Sequence, residues 1–245
     1  MKELRRILSF VRRAVEDYDM IEEGDRIAVG ISGGKDSLTL LAALAGLRRF
    51  YPKKFDLVGV TVDLGLPDMD FTPVEDFCRS LDVPFHREVT EISRVVFDTR
   101  KESNPCSLCA KMRRGALHAA AKAEGCNKVA LGHHFDDAVE TFLLNLFFEG
   151  RLGSFSPVTY LSQRDLTLIR PMIYAKEKDV SYFARHTALP VVQTTCPEDK
   201  ATERTRMKEL LKELEGRYPG LRHRIFGAMC RAKIDGYKRT ERLPE

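Results

Sequence analysis

No run among the 245 residues approaches the roughly 18–20 uninterrupted apolar positions that cross a bilayer, so a membrane-spanning helix is excluded. Arg5, Arg6, Arg12, Arg13, Glu16 and Asp17 interrupt any apolar stretch that a secretory signal would need. The chain is therefore expected to be cytoplasmic, with no membrane partner. Cysteine is scarce: six in a chain of this length cannot staple a disulfide scaffold. In a reducing compartment a Cys-x-x-Cys pair is instead a metal or redox site. Internal repeats and low-complexity tracts are also missing, which excludes solenoids and disordered tails. Neither sign of charge dominates, since the net is only +4. Its placement is uneven, however. Lys200 to Glu245 carry 13 Lys or Arg against 7 Asp or Glu, a net of +6, while the other 199 residues sum to −2. A basic segment beside a near-neutral body suits a polyanionic partner, and equally a solvated helical face.

What is present alternates. Leu4, Ile7, Leu8, Val11, Val15 and Tyr18 recur at helical spacing, predicting an amphipathic helix over 3–19. A turn at Glu22–Asp25 leads to a short buried strand, Arg26 to Ile31, and then to a helix from Asp36 to Arg49. Strands are predicted at Asp56–Asp63, Val83–Val89, Lys128–Gly132 and Leu166–Arg170. Helices are predicted from Thr72, as a cap, to about Leu81, after a Cys pair within Pro105–Glu124, and over Asp136–Glu149, Lys176–Thr187, 201–216 and 221–238. Such alternation implies βαβ units: an α/β fold with a doubly wound, mostly parallel, five-stranded sheet and helices at both termini. The expected division is an N-terminal helix over 1–24, a nucleotide-binding domain over 25–196, and a basic helical segment over 197–245.

The strongest local signal is Ser32-Gly33-Gly34-Lys35-Asp36-Ser37, between a buried strand and a helix. Backbone N–H groups at a helix start bind anions, and glycines let the backbone approach phosphate. Lys35 adds a cation; Ser32 and Ser37 add hydroxyl donors. This is not a Walker A loop, which would need Gly at 29 and Ser or Thr at 36, where Val29 and Asp36 stand. It matches the SGGxDS loop of the N-type ATP pyrophosphatases, which cleave ATP between the α and β phosphates. Asp63 ends the second strand and Gly132-His133 end the fourth, where ligands sit in open α/β sheets; Asp63 also reads simply as a turn residue.

Cys106-Ser107-Leu108-Cys109 precedes a helix whose dipole favours ionised thiolates. Cys196 lies in a loop that can return to the same rim. Three cysteines leave one iron of a 4Fe–4S cluster open to sulfur or substrate, but a redox dithiol or a structural zinc site fits the pattern as well. Cys78, Cys126 and Cys230 are isolated and expected in the core.

Taken together these segments resemble the tRNA 2-thiocytidine synthetase (TtcA) family, through MIEEGDRIAVGISGGKDS at 20–37, PCSLCAKMRRG at 105–115, LGHHFDDAVETFLLNLFFEG at 131–150, RPMIYAKEKDV at 170–180 and RYPGLRHRIFGAM at 217–229. The resemblance implies a PP-loop ATP pyrophosphatase fold of Rossmann type. It implies ATP and Mg²⁺ as cofactors, with a 4Fe–4S cluster on Cys106, Cys109 and Cys196. It implies thiolation of cytidine 32 of tRNA. The loop around Cys196, TTCPEDKATERTRM, departs from the second Cys-x-x-Cys-like stretch more usual there.

In that chemistry, Lys35 and Mg²⁺ would stabilise the departing pyrophosphate. Asp36 and Asp136-Asp137 are candidates for metal positioning or proton handling, and one of the latter pair can instead cap its helix. Arg113 and Arg114 could hold substrate phosphate. Ser32, Gly33, Gly34, Ser37, Asp63, Gly132 and His133 would contact the nucleotide. The tail, with Arg222 and Arg224, is expected to hold tRNA backbone. The sulfur donor, a cysteine desulfurase or sulfide, is not named by the sequence, and a homodimer is compatible with it. A tRNA-lysidine synthetase would not need Cys106 and Cys109. A 2-thiouridine enzyme, or a non-catalytic ATP- and tRNA-binding module with a structural metal, is the remaining alternative.

Overall fold

A computed structural model describes residues 2–100, 105–193, 195–196 and 203–238. Parts of the Cys196 loop and of the basic tail considered above, 197–202 and 239–245, lie outside them.

Six strands form one sheet in the order β3-β2-β1-β4-β6-β5. β1 (Asp25–Gly30), β2 (Phe55–Asp63), β3 (Phe85–Val89), β4 (Lys128–Ala130) and β6 (Leu166–Ile169) run parallel. The chain winds from β1 outward to β3, then crosses back to place β4 on the other side of β1. The strand order thus reverses between β1 and β4, and a crevice opens there beyond their carboxyl ends. The expected five strands become six. β5 (Val158–Leu161) pairs antiparallel with β6, from Val158↔Ile169 to Leu161↔Leu166. An edge strand needs only one partner and only partial burial, so VTYL carries no apolar run that would announce it.

The helices cover both faces. α1 (Lys2–Asp17), α2 (Lys35–Arg48), α6 (Phe135–Phe148) and α7 (Glu177–His186) lie on one face, and α5 (Pro105–Ala123) on the other. α2 reads LTLLAALAGL because it is buried nearly all round, between the sheet and α1 with α7. α1 buries Ile7, Val11, Ala14 and Val15 on one stripe, as its period predicts. Ala120 and Ala121 let α5 approach Ala28, Val58 and Val60 closely. α3 (Thr72–Ser80) begins at the expected cap itself, one residue earlier: Phe71 stands at the cap position and Asp70 Oδ1 accepts the Thr72 N–H at 2.9 Å. A short helix, α4 (Ile92–Arg94), continues as a wider turn over Val95–Arg100.

The last two helices, α8 (Glu203–Arg217) and α9 (Leu221–Arg231), bury Met207, Leu211, Phe226 and Met229 in the same core as α2 and α6. α9 ends seven residues before the expected 238, because Lys233 and Asp235 take positive φ of 53° and 47°. Tyr237 then folds back, its ring 5.4 Å from Phe226. Arg222 does not face solvent as expected of a tRNA contact. Its side chain is 15% exposed and pairs with Asp136 at 2.7 Å and Glu140 at 3.9 Å, both on α6. Arg222→Ala strips those two carboxylates of a shared cation. We expect a loss of about 3 kcal/mol of stability, seen as a lower urea midpoint with unchanged slope. An unmoved midpoint would mean that the apolar contacts alone hold α9.

Candidate functional site

β1 delivers the chain to the crevice through Ile31, whose N–H donates to Val60 O at 2.8 Å. The next residues turn sharply: Gly33 has φ +82°, where a side chain would be strained. Ser37 closes the loop on itself, accepting from Ser32 N at 3.2 Å and donating to Gly34 O at 2.9 Å. Gly34 stands at the N-cap of α2 without a side-chain cap, so the first-turn N–H groups and the helix dipole face the crevice. The predicted phosphate loop thus presents the start of α2 to the crevice.

Gly132, beyond β4, lies against it. A Cβ there would stand 3.1 Å from Asp36 C and Ser37 N. His133 follows, its ring 4.8 Å from Phe155, with the Arg170 guanidinium 4.9 Å from that same ring. Burial, then the Arg170 charge, holds the His133 imidazole down to about 4. Its Nδ1 is buried without a hydrogen-bond partner among the described residues.

His134 caps α6. Its Nδ1 accepts from Asp137 N–H at 3.4 Å, while Asp137 Oδ2 accepts from His134 N–H at 2.9 Å. An accepting Nδ1 puts the ring proton on Nε2, which faces Asp36 Oδ1 at 3.8 Å. So the capping residue is His134, and both aspartates act around it. Asp137 closes the capping box and meets Arg204 at 3.3 Å. Asp136 accepts from Glu177 N–H, at the start of α7, at 2.7 Å. Asp36 Oδ1 itself is buried and, among the described residues, has no hydrogen-bond partner. It has Lys35 Nζ beside it at 3.0 Å, and a hard cation could take an oxygen so placed. Lys35 also reaches Glu177 at 3.7 Å.

Asp63 stands at the rim, one strand over. Its carboxylate is occupied by the fold: Arg87 Nε donates to it at 3.0 Å and Gly65 N–H at 2.9 Å.

The thiols approach from the opposite face. Cys106 and Cys109 lie on the first turn of α5, with Arg113 exposed one turn on. The third, Cys196, arrives on a strap fixed at two points. Val192 N–H donates to Gly33 O at 3.0 Å, and Thr195 Oγ donates to Pro67 O at 2.9 Å. Burial pushes the Cys109 thiol up, Arg113 opposes this, and Cys196 and Cys106 add to it. Among the described residues, no three Cys, His, Asp or Glu side chains are close enough to hold a single metal ion. Cys78, Cys126 and Cys230 are buried, as expected of core residues.

A family model of the PP-loop domain matches residues 4–214. The tRNA-cytidine(32) 2-sulfurtransferase of Pelobacter propionicus is 46% identical over 235 residues, covering 94% of this chain and 87% of its own. The chain belongs to the tRNA-cytidine(32) 2-sulfurtransferase family. The relative bearing that name in Geobacter metallireducens is 44% identical, over 94% of this chain and 90% of its own. Among solved structures, the U34-tRNA thiolase NcsA from Methanococcus maripaludis, with its [4Fe-4S] cluster, superposes with a TM-score of 0.73. It is 23% identical, over 89% of this chain and 75% of its own, and establishes the fold alone.

Sequence reasoning in this family's motifs missed Glu140, Glu177, Arg204 and Lys208 around the crevice. RPMIYAKEKDV contains Glu177, but only the fold turns it toward Lys35. Burial, then the Asp137 charge, pushes Glu140 up to about 7 from its ordinary 4.5. The folded state therefore binds that proton more tightly than the unfolded one. The penalty is absent below pH 4.5, grows as pH rises toward 7, and is complete above it, amounting to about 3 kcal/mol. We expect Glu140→Gln to gain stability over the parent across that window and to keep a constant gain above it. Chemical unfolding at stepped pH measures it, and parallel stability curves would refute the assignment.

Proposed function

We propose that this protein replaces the C2 oxygen of cytidine 32 in tRNA with sulfur, at the expense of ATP cleaved to AMP and pyrophosphate. The observation that carries this reading is the strap. The hydrogen bond from Val192 to Gly33 ties the segment bearing Cys196 directly to the phosphate loop, so that nucleotide and thiol chemistry share one rim.

A cytosine carbonyl is a poor electrophile, and adenylation of its oxygen makes AMP the leaving group. The first-turn N–H groups of α2, Lys35 and the hydroxyls of Ser32 and Ser37 bind the phosphates. Asp36 Oδ1, beside Lys35 Nζ at 3.0 Å, is the oxygen that would take Mg²⁺, with His134 Nε2 3.8 Å from it. Asp137 orients His134. Gly132 and His133 line the nucleotide side, with Asp63 at its far edge. Arg113, exposed one turn beyond Cys109, meets substrate phosphate. Cys106, Cys109 and Cys196 supply the donor set of a 4Fe–4S cluster, which when bound offers an open iron for a sulfur atom. A cysteine desulfurase or sulfide provides that sulfur, and the protein works in the cytoplasm.

Mass spectrometry of tRNA nucleosides from a strain lacking the gene should show 2-thiocytidine gone; its persistence would sink this reading. Protein purified without oxygen should carry about four irons per chain. Cys196→Ser should lose them, whereas Lys35→Ala should keep them and lose AMP formation.

The tail holds tRNA backbone through the exposed Lys212, Arg231 and Lys233. Reversing Lys212 and Arg231 together should weaken tRNA binding and flatten its log–log salt dependence by about 2. Equal affinity and slope in the double variant would exclude this surface.

A further inference from the structure

Two ammonium groups converge on one carboxylate oxygen at the mouth of the phosphate loop. Lys35 Nζ stands 3.7 Å from Glu177 Oε1, and Lys208 Nζ bonds the same oxygen. The three residues come from separate elements: Lys35 opens α2, Glu177 opens α7, and Lys208 lies in the second turn of α8. An isolated exposed ion pair would mean little. Here, however, the second cation is brought by another helix to the phosphate loop's own lysine, which is itself paired with Asp36 at 3.0 Å.

Glu177 cannot follow its partners. Its backbone N–H is bonded to Asp136 Oδ2 at 2.7 Å, and that carboxylate also holds Arg222. The lysines are on longer stems, with side chains 32% and 48% exposed. An oxygen between two ammonium groups, next to a helix start, has the surroundings that a phosphate oxygen seeks.

We propose that Lys208 is a second phosphate-contacting cation of the nucleotide site, held on Glu177 until ATP arrives, and that it then moves with Lys35 to the pyrophosphate portion. This rests on the ATP-dependent reaction proposed above. As the base oxygen bonds to the α phosphorus, the bridging bond to the β phosphate breaks and its electron pair stays on the pyrophosphate. Lys208 stabilises that charge without gaining or losing a proton. ATP chemistry in this protein then requires α8 to be docked, which gives the C-terminal helices a role beyond holding tRNA.

The opposed signs of two substitutions test it. Lys208→Ala should weaken MgATP binding, measured by calorimetry, about tenfold, equivalent to about 1.4 kcal/mol. It should also lower kcat for AMP formation, and Lys208→Arg should restore most of both. Glu177→Gln removes the competing carboxylate and should tighten MgATP binding. The iron content, the tRNA affinity and the thermal midpoint of Lys208→Ala should match the parent. The proposal is overturned if Lys208→Ala binds ATP and forms AMP like the parent, if its only loss is in tRNA affinity, or if both substitutions weaken ATP binding alike, as a purely structural role requires. A parent protein that binds no MgATP would overturn this proposal together with the function on which it rests.

Discussion

The approach of Gly132 to the start of α2 is the constraint on which the site depends. At 3.1 Å from Asp36 C and Ser37 N, the place of a Cβ leaves room for hydrogen and nothing larger. That contact closes the crevice between β1 and β4. It puts the two residues after Gly132, His133 and His134, beside the phosphate loop. His134 caps α6 through one ring bond and one backbone bond to Asp137, and its remaining ring nitrogen lies on the side of Asp36. The loop between β1 and α2 and the start of α6 are thereby packed against each other.

From that unit charge spreads outward in a connected set. Asp136 joins α7 through Glu177 N–H and α9 through Arg222; Asp137 and Glu140 meet Arg204 of α8; Glu177 meets Lys35 and Lys208. Buried carboxylates cost less when several cations share them, and the raised Glu140 shows where the compensation is incomplete. The C-terminal helices are thus seated by the same groups that surround the nucleotide loop. The thiol strap is seated on the loop from the other side, through Gly33.

Much of this was legible in the chain. The phosphate loop reads directly because its chemistry is local: two glycines, a lysine and two serines within six residues, between an apolar run and a helical one. The Cys-x-x-Cys pair reads for the same reason. β5 did not, since a half-exposed edge strand lacks an apolar signature. The capping role of His134 was hidden because histidine is not among the usual capping residues. The tail was read by its net charge, which cannot separate Arg222, turned inward against Asp136, from Arg224, turned out.

By itself, the sequence determined the α/β order of elements, the glycine-rich loop between β1 and α2, the positions of the cysteines and the family, because each is carried by residues close together or by long ordered segments. Only the tertiary structure decided which side chains meet across the crevice. The partners there are more than thirty positions apart: Gly132 with Asp36, Val192 with Gly33, Lys208 with Glu177, Arg222 with Asp136. No local pattern encodes such pairs. They arise when the strand order reverses between β1 and β4 and helices from both ends of the chain pack against that reversal.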